Sequence, residues 1–142
     1  MNKTAVDKLN RLLAAEYASL VHRLAEADPY VAWTSADDRA LVERMAADEK
    51  AHIQALSDLI FDLRGAPVPP SYPTEVSGIH YLQLDYLMPQ IIAGKRRLVA
   101  AYEAAGATGD ARADGLVRRH LADHQRHLSE LLKLHSNLAA SQ

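Results

Sequence analysis

Asp48-Glu49-Lys50-Ala51-His52 sets a carboxylate and an imidazole three residues apart. On an α-helix, side chains at that spacing point to one face, one turn apart. Around them Val42, Met45, Leu56, Leu59 and Leu63 follow a 3-4 alternation, and Glu49 and His52 fill the two slots it lacks. Ionisable groups therefore stand where a helix bundle places leucines. Burying them costs several kcal/mol unless a partner or a metal compensates.

The chain on either side supplies candidate partners. The pattern predicts a first helix over about 4–27, with Leu9, Leu13, Leu20 and Leu24 as its seam and Leu12, Tyr17 and Val21 widening the apolar face. Glu16 lies in that seam, seven residues after Leu9, and Asp28-Pro29 ends the helix. Ser35, with Asp38 three residues on, reads as the N-cap of a second helix over about 36–64, stopped by Gly65. A third helix is predicted over about 79–105, stopped by Gly106, with Leu84, Leu87, Ile91, Leu98 and Ala101 on one face and Gly94 among them. Pro89 should kink it. A fourth is predicted over about 111–138. There Val117, Leu131, Leu134 and Leu138 keep the 3-4 alternation, and His120, His124 and His127 occupy its missing slots.

Between the second and third helices, Gly65 to Pro73 holds four of the six prolines. The second helix should be about 43 Å long, and a proline-rich connection of about 15 residues spans about 46 Å. That is enough to bring the chain back to the other end of the bundle. The expected fold is therefore all-α: one domain over 1–142, a four-helix bundle of two antiparallel hairpins joined by a long Pro-rich crossover.

Composition narrows the function classes. In 142 residues, 49% hydrophobic and 24% charged, the values are ordinary for a globular domain. The formal charge of −2 gives no reason to expect nucleic-acid binding. The absence of cysteine removes disulfides, zinc-thiolate sites and thiol catalysis. The first ten residues lack the apolar core of a secretory signal, and no segment approaches the roughly 18 apolar residues of a membrane span, so a soluble cytoplasmic protein is expected. Histidine is the exception, with seven residues against one Trp and one Phe.

Counted along the helices, Glu16, Glu49, His52, His120, His124 and His127 all fall between about 15 and 25 Å from one end of the bundle. Carboxylates and imidazoles in a dry cavity suit Fe, Mn or Zn better than Ca or Mg. Asp48 and Asp123, each beside a candidate ligand, are placed to orient imidazoles. Lys95, at about 15 Å on the third helix, is the competing counter-charge; pointing inward, it would neutralise Glu16 and Glu49 in place of a metal. His22, His80 and His135 read as surface residues, and Tyr17, Tyr86 and Tyr102 as core packing. Asp85 and Glu103 are not level with the cluster, and Gln90, Ile91 and Ile92 are what the third helix offers there.

Leu12-Leu13-Ala14-Ala15-Glu16-Tyr17 and Asp48-Glu49-Lys50-Ala51-His52 resemble the ligand segments of the ferritin-like superfamily, in its rubrerythrin and bacterioferritin branch. The resemblance covers residues 5–65 and is architectural beyond them. It implies a di-iron carboxylate site completed by a glutamate and a second E-x-x-H on helices three and four. This chain departs there: His124-Gln125-Arg126-His127 has histidine for glutamate, and helix three has no acidic residue at that height. The expectation is a single divalent metal, iron first with manganese or zinc as alternatives, held by Glu16, Glu49, His52, His124 and His127. The implied chemistry is of the oxidase or ferroxidase type. One alternative is a DinB-like metal site at His52, His120 and His124; another is a metal-free bundle acting through protein interaction. The broadly apolar run from Leu82 to Ile92 suggests a homodimer face.

Overall fold

The structure, a computed structural model, describes residues 2–21, 35–68 and 84–140, with the side chains of 84–86 and 138–140 excepted. Among the described residues four helices are seen in full: α1 Lys3–Tyr17, α2 Ala36–Asp62, α3 Leu84–Ala105 and α4 Ala111–Ala140. Helix α1 packs on α2 and α3, and α4 packs on α3 and α2, which leaves α1/α4 and α2/α3 as the diagonals of a four-helix bundle.

Local chemistry fixes the ends. Asn2 and Ser35 accept hydrogen bonds from Ala5 N and Asp38 N, both at 3.1 Å, so each satisfies an otherwise unpaired amide in a first turn. Helix α1 stops at Tyr17, short of the expected residue 27. There Ser19 N donates to Glu16 O at 3.1 Å, an i→i−3 closure that tightens the last turn. After a break at Ala18 and Ser19 the chain is helical again at Leu20 and Val21. The remainder of that predicted helix, with Leu24, Asp28-Pro29 and His22, lies outside the described residues, as do the crossover over 69–83 and His80.

The last turn of α2 closes on two bonds, Arg64 N to Phe61 O and Gly65 N to Ile60 O, with Arg64 in the left-handed region at φ 64°. Gly65 is required by space: a Cβ there would lie 2.6 Å from Val6 Cγ1. That contact puts the end of α2 beside the start of α1. Lys8 Nζ donates to Ala105 O at 2.6 Å and Ala107 O at 2.8 Å, so the end of α3 is there too. Helices α2 and α3 thus run in the same direction, although adjacent in sequence, and each is antiparallel to α1.

The buried apolar residues form two clusters. One joins Leu9, Leu12 and Leu13 to Leu56, Leu59 and Ile60, Leu98 and Tyr102, and Leu116 and Val117. The other joins Val42 and Met45 to Leu87, Met88, Ile91 and Ile92, and Leu131 and Leu134. The described part of the apolar run that suggested a dimer face is therefore spent inside the chain's own core. The α3 seam is Met88, Ile91, Lys95, Leu98, Tyr102 and Ala105, a 3-4 alternation one residue away from the predicted 94/101 phase. Lys95 and Tyr102 consequently face the centre of the bundle.

A polar layer between two apolar cores

Between those clusters lie Glu16, Glu49, His52, Lys95, His120, His124 and His127, none more than 4% exposed. The five ligands expected from sequence are all here, with His120 beside them. Their donor atoms sort into two groups, Glu16/His52/His120 and Glu49/His124/His127, each with its atoms within 4.8 Å of one another.

In the first group Glu16 Oε2 accepts from the Tyr102 hydroxyl at 2.6 Å, His124 Nε2 at 2.9 Å and His52 Nδ1 at 3.0 Å. Tyr102 gives its one proton to Glu16, so its oxygen accepts from His120 Nδ1 at 3.1 Å. His52 Nε2 donates to Asp123 Oδ2 at 2.9 Å, which leaves this imidazole between two carboxylates. Burial opposes charge on His52, but the bonds and charges of Glu16 and then Asp123 outweigh it and raise its pKa. Burial likewise opposes charge on Glu16, and hydrogen bonds from His124 and His52 hold its carboxyl well below the usual range. His120 stacks on His52 with ring centroids 3.9 Å apart. Burial and the neighbouring His52 charge push its pKa down to about 3. Burial and the Glu16 charge raise the Tyr102 phenol, keeping it a donor.

In the second group Lys95 Nζ donates to Glu49 Oε2 at 2.6 Å and to His124 Nδ1 and His127 Nδ1, each at 3.0 Å. Both imidazoles accept at Nδ1 and carry their proton on Nε2. His127 passes that proton's hydrogen bond to Asp48 Oδ2 at 2.8 Å, and His124 to Glu16. Burial and the Lys95 charge push the His127 pKa down to about 4.

The orienting carboxylates are reciprocal: Asp123 of α4 holds His52 of α2, and Asp48 of α2 holds His127 of α4. Arg126 spans them, at 3.1 Å from Asp48 and 3.3 Å from Asp123. A cleft of about 370 Å³, lined by Arg44, Asp48, Arg126, His127 and Glu130 among others, leads from solvent to this edge of the layer.

Lys95 is the inward counter-charge expected from sequence, but it meets Glu49 and not Glu16. The role of Tyr102, read as core packing, was missed, since its hydroxyl donates to Glu16. Gln90, expected level with the cluster, is exposed, while Ile91 and Ile92 belong to an apolar core. The signal that finds the right pair is the seam phase. Lys95 and Tyr102 are seven residues apart, in step with Met88.

The donor chemistry fits a transition metal at the first group, because one carboxylate and two imidazoles come from three helices into a dry layer. Glu16 Oε1 is buried and has no hydrogen-bond partner among the described residues. The second group does not fit a metal alongside Lys95, whose ammonium is bonded to all three of its donors. The set His52, His120 and His124 is also close, with His52 and His124 ring centroids 4.8 Å apart. An ion there would have to part His124 from Lys95 or from Glu16, whereas an ion in the first group would replace only the proton that His52 Nδ1 shares with Glu16 and leave His52 Nε2 on Asp123.

Two antiparallel hairpins, a same-direction second and third helix, and carboxylates and imidazoles meeting in mid-bundle define a ferritin-like fold. Solved structures agree. A bacterioferritin-related protein of Bacteroides fragilis, described as a dodecameric thioferritin, superimposes with a TM-score of 0.80 at 21% identity, over 99% of this chain and 89% of its own. Dps from Thermosynechococcus elongatus gives 0.69 at 18% identity, over 90% and 89%. A ferritin-like diiron-carboxylate protein of Bacillus anthracis str. Ames gives 0.67 at 20%, over 94% and 96%. No protein-family model and no curated protein matches the chain. Among the described residues no helix is long and apolar enough to cross a membrane.

Proposed function

We propose that this chain is a ferritin-like metal-binding protein holding one divalent transition-metal ion, iron before manganese or zinc, at Glu16, His52 and His120. Supporting it is one observation: three buried donors from α1, α2 and α4 lie within 4.8 Å of one another. Glu49, His124 and His127 complete the layer, with Lys95 as their cation. A bound iron would supply one-electron exchange with O₂ or peroxide, chemistry of the oxidase or ferroxidase type. The protein's part is distinct. Glu16 provides the negative charge, Asp123 fixes the His52 ring, Tyr102 and His124 orient Glu16, and the flanking cores exclude bulk water.

Elemental analysis of purified protein tests this reading. One ion per chain is expected, lost in Glu16→Ala and in His52→Ala. Protein that carries no metal and gains no thermal stability with Fe²⁺, Mn²⁺ or Zn²⁺ would refute it. The second reading, a metal-free bundle, draws on the charge balance: His52 between Glu16 and Asp123, and Lys95 on Glu49, offset both buried carboxylates.

A cytoplasmic homodimer is part of the same proposal. The Bacteroides fragilis structure is described as an assembly, and Phe61 and Val68 of this chain are 65% and 60% exposed. Sedimentation of the purified protein as a monomer at micromolar concentration would remove the dimer.

A further inference from the structure

We propose that Glu49, His124 and His127 form a divalent-metal site that Lys95 keeps closed with its own ammonium, so that removing this side chain opens the site. Lys95 Nζ stands 2.6 Å from Glu49 Oε2 and 3.0 Å from each of His124 Nδ1 and His127 Nδ1. Those donors converge within 4.8 Å, and all four residues are at most 1% exposed. Three features are what a ligated metal requires. Both imidazoles turn an Nδ1 lone pair to one point. Each sends its Nε2–H outward to a carboxylate, His127 to Asp48 and His124 to Glu16. Glu49 Oε1 is buried without a hydrogen-bond partner among the described residues, so the carboxylate has a second oxygen to offer.

Metal–ligand bonds of about 2.0–2.2 Å need each donor to close by less than about 1 Å from its present distance to Nζ. One carboxylate with two imidazoles selects Zn²⁺, Co²⁺ or Fe²⁺ over Ca²⁺ or Mg²⁺. Lys95 also fixes what His124 can do. By taking the Nδ1 lone pair it places the proton on Nε2, and His124 then serves Glu16 as a hydrogen-bond donor and not as a ligand. One side chain thus closes one position and sets the ligand count at its neighbour.

These contacts do not depend on whether Glu16, His52 and His120 hold an ion, and the test separates the two. Wild type, Lys95→Ala, Lys95→Gln and Lys95→Arg are titrated with Co²⁺ and Zn²⁺, following the visible Co²⁺ bands and the metal-to-chain ratio. Lys95→Ala and Lys95→Gln are expected to bind one ion more than wild type, at least a hundredfold tighter than any comparable binding in wild type. Lys95→Arg, which keeps the cation, should gain none, and adding Glu49→Gln or His127→Ala to Lys95→Ala should remove the gain. A wild type without metal beside a Lys95→Ala chain with one ion would support this inference and overturn the proposed function. Equal stoichiometry in wild type and both opened variants, whether they fold unaided or are refolded with metal present, would overturn the inference itself.

Discussion

Lys95 and Glu49 are a fully buried pair whose members need each other. Either Glu49→Leu or Lys95→Met leaves a charge without its counterion and should cost about 3–5 kcal/mol. The double variant should be destabilised by less than the sum, with a coupling of about 2–3 kcal/mol in a urea-unfolding cycle; strict additivity would mean the pair does not act as one. His127 makes a pH prediction for the metal-free protein. Its pKa is held down to about 4, against 6.5 ordinarily, by burial and Lys95. Between those values the unfolded chain takes up a proton that the folded chain refuses. The contribution is therefore present above about pH 6.5 and lost as pH falls towards 4, by about 3 kcal/mol. Urea titrations across that window should give a shallower slope in His127→Gln. How these side chains point was partly legible: apolar phase turned Glu16, Glu49, His52 and the three α4 histidines inward. Their sorting into two groups was not, because it depends on side-chain rotation and on which of the two carboxylates Lys95 meets.

At the scale of the helix, caps and stops are local chemistry and could be read from sequence, as Ser35 with Asp38 and Gly106 at φ 59° show. Gly65 ends α2 for a reason that sequence conceals. The residue in the left-handed conformation is Arg64, and Gly65 serves close packing on Val6. Arg64→Gly should relieve that conformation, although glycine also gains freedom in the unfolded chain, so a net gain of about 0.5 kcal/mol is expected in thermal or urea unfolding. Gly65→Ala should instead be destabilising by about 1–3 kcal/mol, since its methyl meets Val6 at 2.6 Å. The stop of α1 at Tyr17 could not be read in this way. Leu20 and Val21 continue its apolar period, and periodicity carries no record of where a backbone amide changes partner. The height of α3 was similarly beyond reach, because it depends on the path of the crossover and not on the helix's own residues.

For the whole molecule, the bundle is two apolar cores on either side of a polar layer, and the proposed ion would draw donors from three helices at once. An ion bound there acts on the bundle as a unit. At a free concentration a hundred times its Kd it adds about 2.7 kcal/mol to the folded state, on the order of 10 °C in Tm for a domain of this size. Because Glu16, His52 and His120 come from α1, α2 and α4, the added stability should appear as one transition moving upward, not as a second transition splitting from the first. Calorimetry with and without saturating metal measures both quantities. Glu16→Ala should abolish the shift, since it removes the only carboxylate of that group. Arg126→Ala should reduce it modestly: Asp123 and Asp48 would lose their shared cation but keep their hydrogen bonds to His52 and His127. A metal-induced shift that survives Glu16→Ala intact would place the ion elsewhere in the molecule, and a split transition would show that the two cores do not melt together.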